Sequence, residues 1–222
     1  DTLPIIEALA DKANVIPLKT GYGLGIHTAL AFMNGRSVGI MANNPLHLGG
    51  AIDADAADKA ALFMDFCTRF KLPIISLIDT PGFMVGPESE AAGHVRYASQ
   101  MFIAGAAFLE KAQSPFLSIV LRKGYGLGAM AMSAGGFHAS TFTVAWPTAE
   151  FGAMGLEGAV RLGFRKELAS CTTEAARDAL FEKLLAEHVE KGSAINMATT
   201  LEIDAVIDPA KTREWILTGL LA

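Results

Sequence analysis

Three short apolar runs, IISLID (Ile74–Asp79), FLSIVL (Phe116–Leu121) and FTVAW (Phe142–Trp146), are separated by segments whose apolar residues recur at helical spacing. Runs of this length suit buried strands, and strands alternating with helices imply an α/β fold with crossover connections. The segment ADAADKAALFMDFCTRF (54–70) places Ala57, Ala60, Ala61, Met64 and Cys67 on one helical face, and Lys71-Leu72-Pro73 ends it. A second helix is predicted from His94 to Ala112. Upstream, IHTALAFM and SVGIMAN flank Asn34-Gly35-Arg36, where Asn-Gly suits the tight turn of an antiparallel hairpin. The last third is mainly helical, with a charged amphipathic segment from Glu174 to Lys191 and a short helix after Pro209. With no linker or low-complexity segment, residues 1–222 read as one domain.

Composition narrows the partners. At 51% hydrophobic, 222 residues suffice to close one full core. The 18 basic and 23 acidic side chains give a net charge of −5, without a basic run able to neutralise a row of phosphates, so nucleic acid is not expected. Charged residues make up 18%, against about a quarter in ordinary soluble domains. That leanness suggests buried subunit surface. Cys67 and Cys171 stand far apart with no Cys/His cluster, so neither a disulfide framework nor a zinc site is indicated, and a reducing cytoplasm fits. Residues 124–149 form a 26-residue stretch free of Asp, Glu, Lys and Arg, long enough to span a bilayer. Gly135, Gly136, His138 and Pro147 break it, and it reads as a buried helix followed by a buried strand. The start at Asp1 reads as a trimmed or internal boundary.

Nearly the same words occur twice, KTGYGLGIHTALA (19–31) and RKGYGLGAMAMSA (122–134). The first precedes a strand, whereas the second leaves one and enters a helix, so the echo is not a duplication. A glycine turn at a helix start points unpaired N–H groups outward, and the helix dipole adds partial positive charge. Gly124, Gly126 and Gly128 let the backbone approach a ligand closely, and donors so arranged stabilise an oxyanion by about 3 kcal/mol each. The alternative is a close-packed strand–helix turn. The spacing lacks the dinucleotide fingerprint. The five histidines have no Ser or Cys partner in sequence, which leaves each a structural role.

A set of phrases in order, MNGRSVGIMANNP, GGAID, LPIISLIDTPGF, RKGYGLGAM, VAWPTAEFGAMGLEGAV and IDAVIDPAKTR, spans nearly the whole chain. Together they resemble the C-terminal half of the carboxyltransferase component of biotin-dependent acyl-CoA carboxylases, of the propionyl-CoA carboxylase beta type. The resemblance implies a crotonase-like (ClpP-like) fold of β-β-α units in a superhelix. It implies carboxyl transfer from carboxybiotin, borne on a carrier domain, to the α-carbon of an acyl-CoA, with this chain lining the biotin side. No metal is expected in this half. The implied partners are the N-terminal half, which completes the site from another protomer, the biotin carrier and biotin carboxylase components, and further copies in a dimer or trimer of dimers. Neither nucleic acid nor membrane is an expected partner.

Carried onto this chain, the resemblance puts an oxyanion hole for the biotin ureido oxygen at the backbone N–H groups of Leu127 and Gly128. It adds Tyr125 and Gly126 beside them, and Gly50 and Asp53 in a loop shaping the biotin pocket, although a turn glycine and a helix N-cap explain the last two nearly as well. Met130 falls in the acyl pocket, where many propionyl-type members have aspartate, which leaves acyl preference open. Asp79, at a strand end where α/β proteins often place ligand contacts, reads first as turn chemistry before Thr-Pro-Gly; Arg96 matches a family arginine beside a glycine-bearing helix start and reads first as an ion-pair partner of Glu88, Glu90 or another carboxylate. Two other readings are a biotin-independent crotonase-type hydratase or isomerase, which needs acid–base carboxylates in this chain, and a non-catalytic assembly module. Within the leading reading, a decarboxylase subunit running the transfer backwards has the same sequence features.

Overall fold

The computed structural model describes residues 1–12 and 14–222. In chain order the elements are α1 (Leu3–Leu9), β1 (Val15–Leu18), β2 (Ile26–Met33), β3 (Arg36–Asn43), α2 (Ala54–Phe70), β4 (Ile74–Thr80), α3 (Pro87–Ala91), α4 (His94–Lys111), β5 (Phe116–Tyr125), α5 (Gly126–Met132), β6 (Phe142–Ala145), β7 (Glu150–Gly152), α6 (Leu156–Gly163), α7 (Arg165–Ala169), α8 (Glu174–Lys191), α9 (Ala194–Thr199), β8 (Ala205–Val206) and α10 (Thr212–Gly219). Among the described residues no helix is long and apolar enough to cross a membrane.

The strands form one eight-stranded sheet in the order β1-β2-β3-β4-β5-β6-β8, with β7 pairing β5 off this path. β1, β2 and β3 are antiparallel, and the hairpin closes with Met33 opposite Arg36, so Asn34 and Gly35 alone make the turn. From β3 onward every pairing is parallel. Both faces are covered, as parallel sheets require. Alternation along β4 sends Ile74 and Ile78 to the face carrying α2 and α4, and Ile75 and Leu77 to the face carrying α1 and α10. Every residue of β4 is buried, which explains why its sequence shows no polar alternation.

Helix α2 occupies the span read from sequence, and its stop and start have local causes. Asp53 caps the N-terminus by accepting the Ala56 N–H at 2.8 Å. At the far end Lys71 is left-handed, with φ of 52°, and donates its N–H back to Cys67. All five residues assigned to its inner face are buried.

Three expectations from sequence require correction. Residues Arg122–Tyr125, read as loop, continue β5 to ten residues, because Gly124 pairs with Thr80 on one edge and the tract pairs with β7 on the other. The stretch PTAEFGAMG, which shows no strand pattern in the sequence, contains β7. Finally, α1 and β1 had no counterpart in the sequence reading. Pro17 argues against a strand, but β1 is the sheet edge, where proline is tolerated.

Candidate active site

Where β5 leaves the sheet, the chain turns directly into α5. Gly126 carries the turn at φ of +59°, and a Cβ there would lie 2.8 Å from the carbonyl oxygen of Ala153. An L-residue at this position meets both backbone strain and a fixed backbone wall. Two residues on, a Cβ at Gly128 would lie 2.8 Å from both Cα and C of Gly82 and 3.0 Å from the Phe83 nitrogen. The first turn of α5 is therefore seated between two backbone segments, one following β7 and one following β4.

The segment after β4 is itself held. Ile52 donates its N–H to Gly82 at 3.0 Å and accepts that of Met84 at 2.9 Å. Gly82 donates to the Thr80 hydroxyl at 3.0 Å. Gly50 is buried, with φ of +91°, and a Cβ would come within 2.4 Å of the Asp79 carbonyl oxygen, so the turn over Leu48–Gly50 lies directly on the end of β4. Lys123 donates from Nζ to the Gly49 carbonyl and bridges the same turn to β5.

Within this frame the N–H groups of Leu127 and Gly128 lie in the first helical turn, where amides have no intrahelical acceptor. Neither donates to a group outside the helix among the described residues. The Leu127 side chain is 63% exposed and takes no part in anchoring the helix, whereas Gly128, Ala129, Ala131 and Met132 are buried. Leu127 and Met130, three residues apart, lie along the side of α5 that borders a cleft of about 670 Å³ closed by α6, α8 and α9. Its lining is mainly apolar.

Three carboxylates near the turn are engaged. Asp79, 6% exposed, accepts the Lys123 N–H at 3.2 Å and pairs with Arg122 at 3.1 Å. Tyr125 donates its hydroxyl to Glu150 at 2.7 Å, and burial together with that hydrogen bond raises its pKa. Asp53 has one oxygen in the α2 cap and the other 3.0 Å from His47 Nε2.

The sequence-predicted residues thus divide. Tyr125, Gly126, Leu127, Gly128 and Met130 are contiguous at the turn, with Gly126, Leu127 and Met130 lining the cleft. Gly50 and Asp53 reach it only through Ile52 and the Gly82–Phe83 backbone. Asp79 is an ion-pair residue closing the base of the turn. Arg96 makes no ion pair with a described residue, contrary to expectation, since Glu88 and Glu90 lie on α3 without reaching it. Gly82 escaped the sequence reading although Pro81-Gly82 was visible as a turn, because only the fold reveals that Gly128 rests on it.

His94 also proves unusual. It is 4% exposed, stands edge-on to Phe83 with centroids 5.5 Å apart, and neither ring nitrogen has a hydrogen-bond partner among the described residues. Burial lowers its pKa from 6.5, opposed only in part by Asp53. The folded chain holds His94 neutral while the unfolded chain takes up a proton below pH 6.5, so this group removes stability as pH falls through 6.5, until the lowered folded pKa is reached. His94→Leu is expected to flatten this part of the pH dependence and to raise stability by about 1 kcal/mol at pH 7. Melting temperatures at pH 7.5 and 5.5 measure it, and an unchanged difference between them would count against the assignment.

Comparison with known proteins gives one consistent result. The family model described as Carboxyl transferase domain matches residues 1–221. The methylmalonyl-CoA carboxyltransferase 12S subunit of Propionibacterium freudenreichii subsp. shermanii is 38% identical over 99% of this chain and 41% of its own length. The biotin-dependent acetyl-/propionyl-coenzyme A carboxylase beta5 subunit of Mycobacterium leprae is 34% identical over 99% of this chain and 40% of its own. The chain therefore spans about two-fifths of these curated relatives. Among solved structures, a single-chain, multi-domain long-chain acyl-CoA carboxylase is similar at 51% identity and a TM-score of 0.87, covering 99% of this chain and 21% of that one. The transcarboxylase 12S hexamer with methylmalonyl-coenzyme A and methylmalonic acid bound is similar at 36% identity and a TM-score of 0.89, over 100% of this chain and 41% of that one. The fold is that of these structures, the crotonase-like α/β architecture expected from the sequence.

Proposed function

Since this chain belongs to the carboxyl transferase domain family, we propose that it supplies the biotin-facing half of a site that moves carboxylate from carboxybiotin to the α-carbon of an acyl-CoA. The single observation carrying this reading is the pair of amides, Leu127 and Gly128, without acceptors among the described residues and fixed at the start of α5 by backbone contact, where Gly126 and Leu127 border an apolar cleft. Two unsatisfied donors in one helical turn fit a ureido oxygen, and the mainly apolar lining fits the rest of such a ligand.

When bound, carboxybiotin supplies the carboxyl group and, once decarboxylated, a ring nitrogen basic enough to accept the α-proton. The chain's own contribution is electrostatic. The two amides with the α5 dipole would meet, without reorganising, the negative charge that release of CO2 would place on a ureido oxygen held there. Because Gly82 and Ala153 hold the turn in place, the donors favour the charged transition state over the neutral ground state. Asp79, by pairing Arg122 and the Lys123 amide, secures the strand end from which the turn departs. No side-chain base is assigned to this chain, and Asp79, Glu150 and Asp53 beside the turn are already engaged, which favours carboxyl transfer over a crotonase-type hydratase.

Gly50 and Asp53 support the pocket wall from behind, and Tyr125 fixes β5 to β7. The wider assembly follows the same reading: a complementary carboxyltransferase half completing the site in a homo-oligomer, a biotin carrier and a biotin carboxylase component, in the cytoplasm. Carboxyl transfer in reverse, from malonyl-CoA or methylmalonyl-CoA to biocytin, tests it on the full-length protein. Activity that requires both halves is the expected result. A folded full-length protein with no biotin-dependent transfer to or from any acyl-CoA sinks the reading and promotes the hydratase or the assembly module.

A further inference from the structure

The first glycine phrase, KTGYGLG (19–25), takes no part in the turn at α5 and instead closes over a buried lysine. A Cβ at Gly23, where φ is +56°, would lie 2.7 Å from the Asp55 carbonyl oxygen and 3.0 Å from Cβ of Lys59, so this loop is pressed onto the first turns of α2. Lys59 is 2% exposed. Its Nζ donates to the Gly23 carbonyl across 3.4 Å, and among the described residues it pairs with no carboxylate. Asp58, one residue away, accepts the Tyr22 hydroxyl at 3.0 Å. Two cavities, of about 440 and 300 Å³, share Lys59, Leu18 and Thr28 as lining. Lys19, Asp65 and Arg69 border the larger, and His27 and the exposed Glu7 the smaller. Nε2 of His27 is buried without a hydrogen-bond partner among the described residues, and Asp1 Oδ1 stands 3.7 Å from it. A buried ammonium ordinarily has a carboxylate beside it, whereas Lys59 has a lysine and a histidine. Burial, and then Lys19, lowers its pKa to about 8, while burial, and then Lys59, lowers that of His27. The surroundings oppose a cation and suit an anion.

We propose that Lys59 is a carbamylation site, at which the ε-amine adds covalently to CO2. The inference does not depend on the carboxyltransferase reading. In this step the nitrogen lone pair forms the N–C bond, one C=O π pair of CO2 moves onto its oxygen, and the nitrogen gives up one proton to His27 or to water. Nothing is oxidised or reduced. CO2 is uncharged and has three atoms, and the smaller cavity, at about 300 Å³, equals the liquid volume of on the order of ten waters, so the product has room. Carbamylation exchanges a buried cation for a buried anion that has Lys19 and His27 as neighbours, and it offers the unpartnered Nε2 an acceptor. Selectivity follows from the amine itself. With a pKa of about 8, Lys59 holds roughly a hundredfold more neutral amine at neutral pH than an ordinary lysine, and only the neutral form can add.

The test uses the full-length protein near neutral pH, equilibrated with carbon-13 bicarbonate and the CO2 it releases. Triethyloxonium then converts carbamates to stable ethyl esters, and the digested chain is read by mass spectrometry. The expected result is a carbon-13 ethoxycarbonyl group on Lys59, at an occupancy about tenfold or more above that of the exposed lysines. Lys59→Arg, which keeps the charge without the nucleophile, and Lys59→Met are each expected to lose this label. A folded wild-type protein with no label on Lys59 overturns the proposal, including the case in which bicarbonate binds there without forming a bond. Label spread evenly over the surface lysines overturns it too, since burial would then confer no selectivity. The trap reads the wild-type chain directly, so the outcome stands even if neither variant folds. Carboxyl transfer is not part of the readout, which keeps a failure here distinct from a failure of the carboxyltransferase reading.

Discussion

Replacing Gly128 by alanine in the full-length protein is expected to lower kcat for carboxyl transfer by about 10²–10³-fold, with KM for the acyl-CoA nearly unchanged. The added methyl group would sit 2.8 Å from the Gly82 backbone, a distance that neither segment can relieve by rotating a side chain. Gly82 is tied through Thr80 and Ile52, so the start of α5 has to move instead, carrying the Leu127 and Gly128 amides off the ureido oxygen. The crowding also costs about 1–3 kcal/mol of stability, visible as a lower melting temperature. Gly128→Pro goes further by deleting one donor outright. The amides act only as charge develops, so single-turnover rates should carry the defect. A folded Gly128→Ala protein that retains wild-type kcat would falsify the oxyanion assignment.

The largest effect on stability is expected at Phe108. This side chain is fully buried and meets Phe116, also fully buried, edge-to-face with centroids 5.5 Å apart. The pair joins α4 to the beginning of β5, so truncation loses apolar burial, aromatic geometry and close packing together. Phe108→Ala is expected to destabilise the chain by about 3–5 kcal/mol. Urea unfolding followed through Trp146 and Trp215 measures this, since Trp215 of α10 stands edge-on to Phe142 of β6 and reports on tertiary packing. A loss below about 1 kcal/mol would mean that the neighbouring side chains collapse into the space, contrary to the tight packing described.

Much of this architecture could be read from residue order. Buried strands announced themselves as short apolar runs, α2 through a five-residue inner face and a capping aspartate, and the hairpin through Asn34-Gly35. What stayed hidden depended on contacts distant in sequence. Arg122–Tyr125 looks like loop because glycine and charge weaken strand propensity, yet pairing on both edges keeps it in the sheet. For β7, three residues between turn-formers carry too little pattern to be seen. The candidate turn was visible as glycine spacing, but the reason for Gly128 lies 46 residues upstream at Gly82, a separation given by their numbering. His94 reads as an ordinary helix residue, and its lack of partners is a property of the surroundings that α4 and Phe83 create.

Helix α5 is short, and its two sides have different freedom to vary. The buried side, Gly128, Ala129, Ala131 and Met132, meets backbone and core, so replacements there shift the Leu127 and Gly128 amides. The side bearing Leu127 and Met130 borders the cleft, with Leu127 63% and Met130 38% exposed. On the proposed reading, substitutions there would alter the lining of the cleft while the Leu127 and Gly128 amides keep their place. The two sides of one short helix thus carry different tolerances: a methyl group is too much at Gly128, and a change of side chain at Leu127 meets only open space.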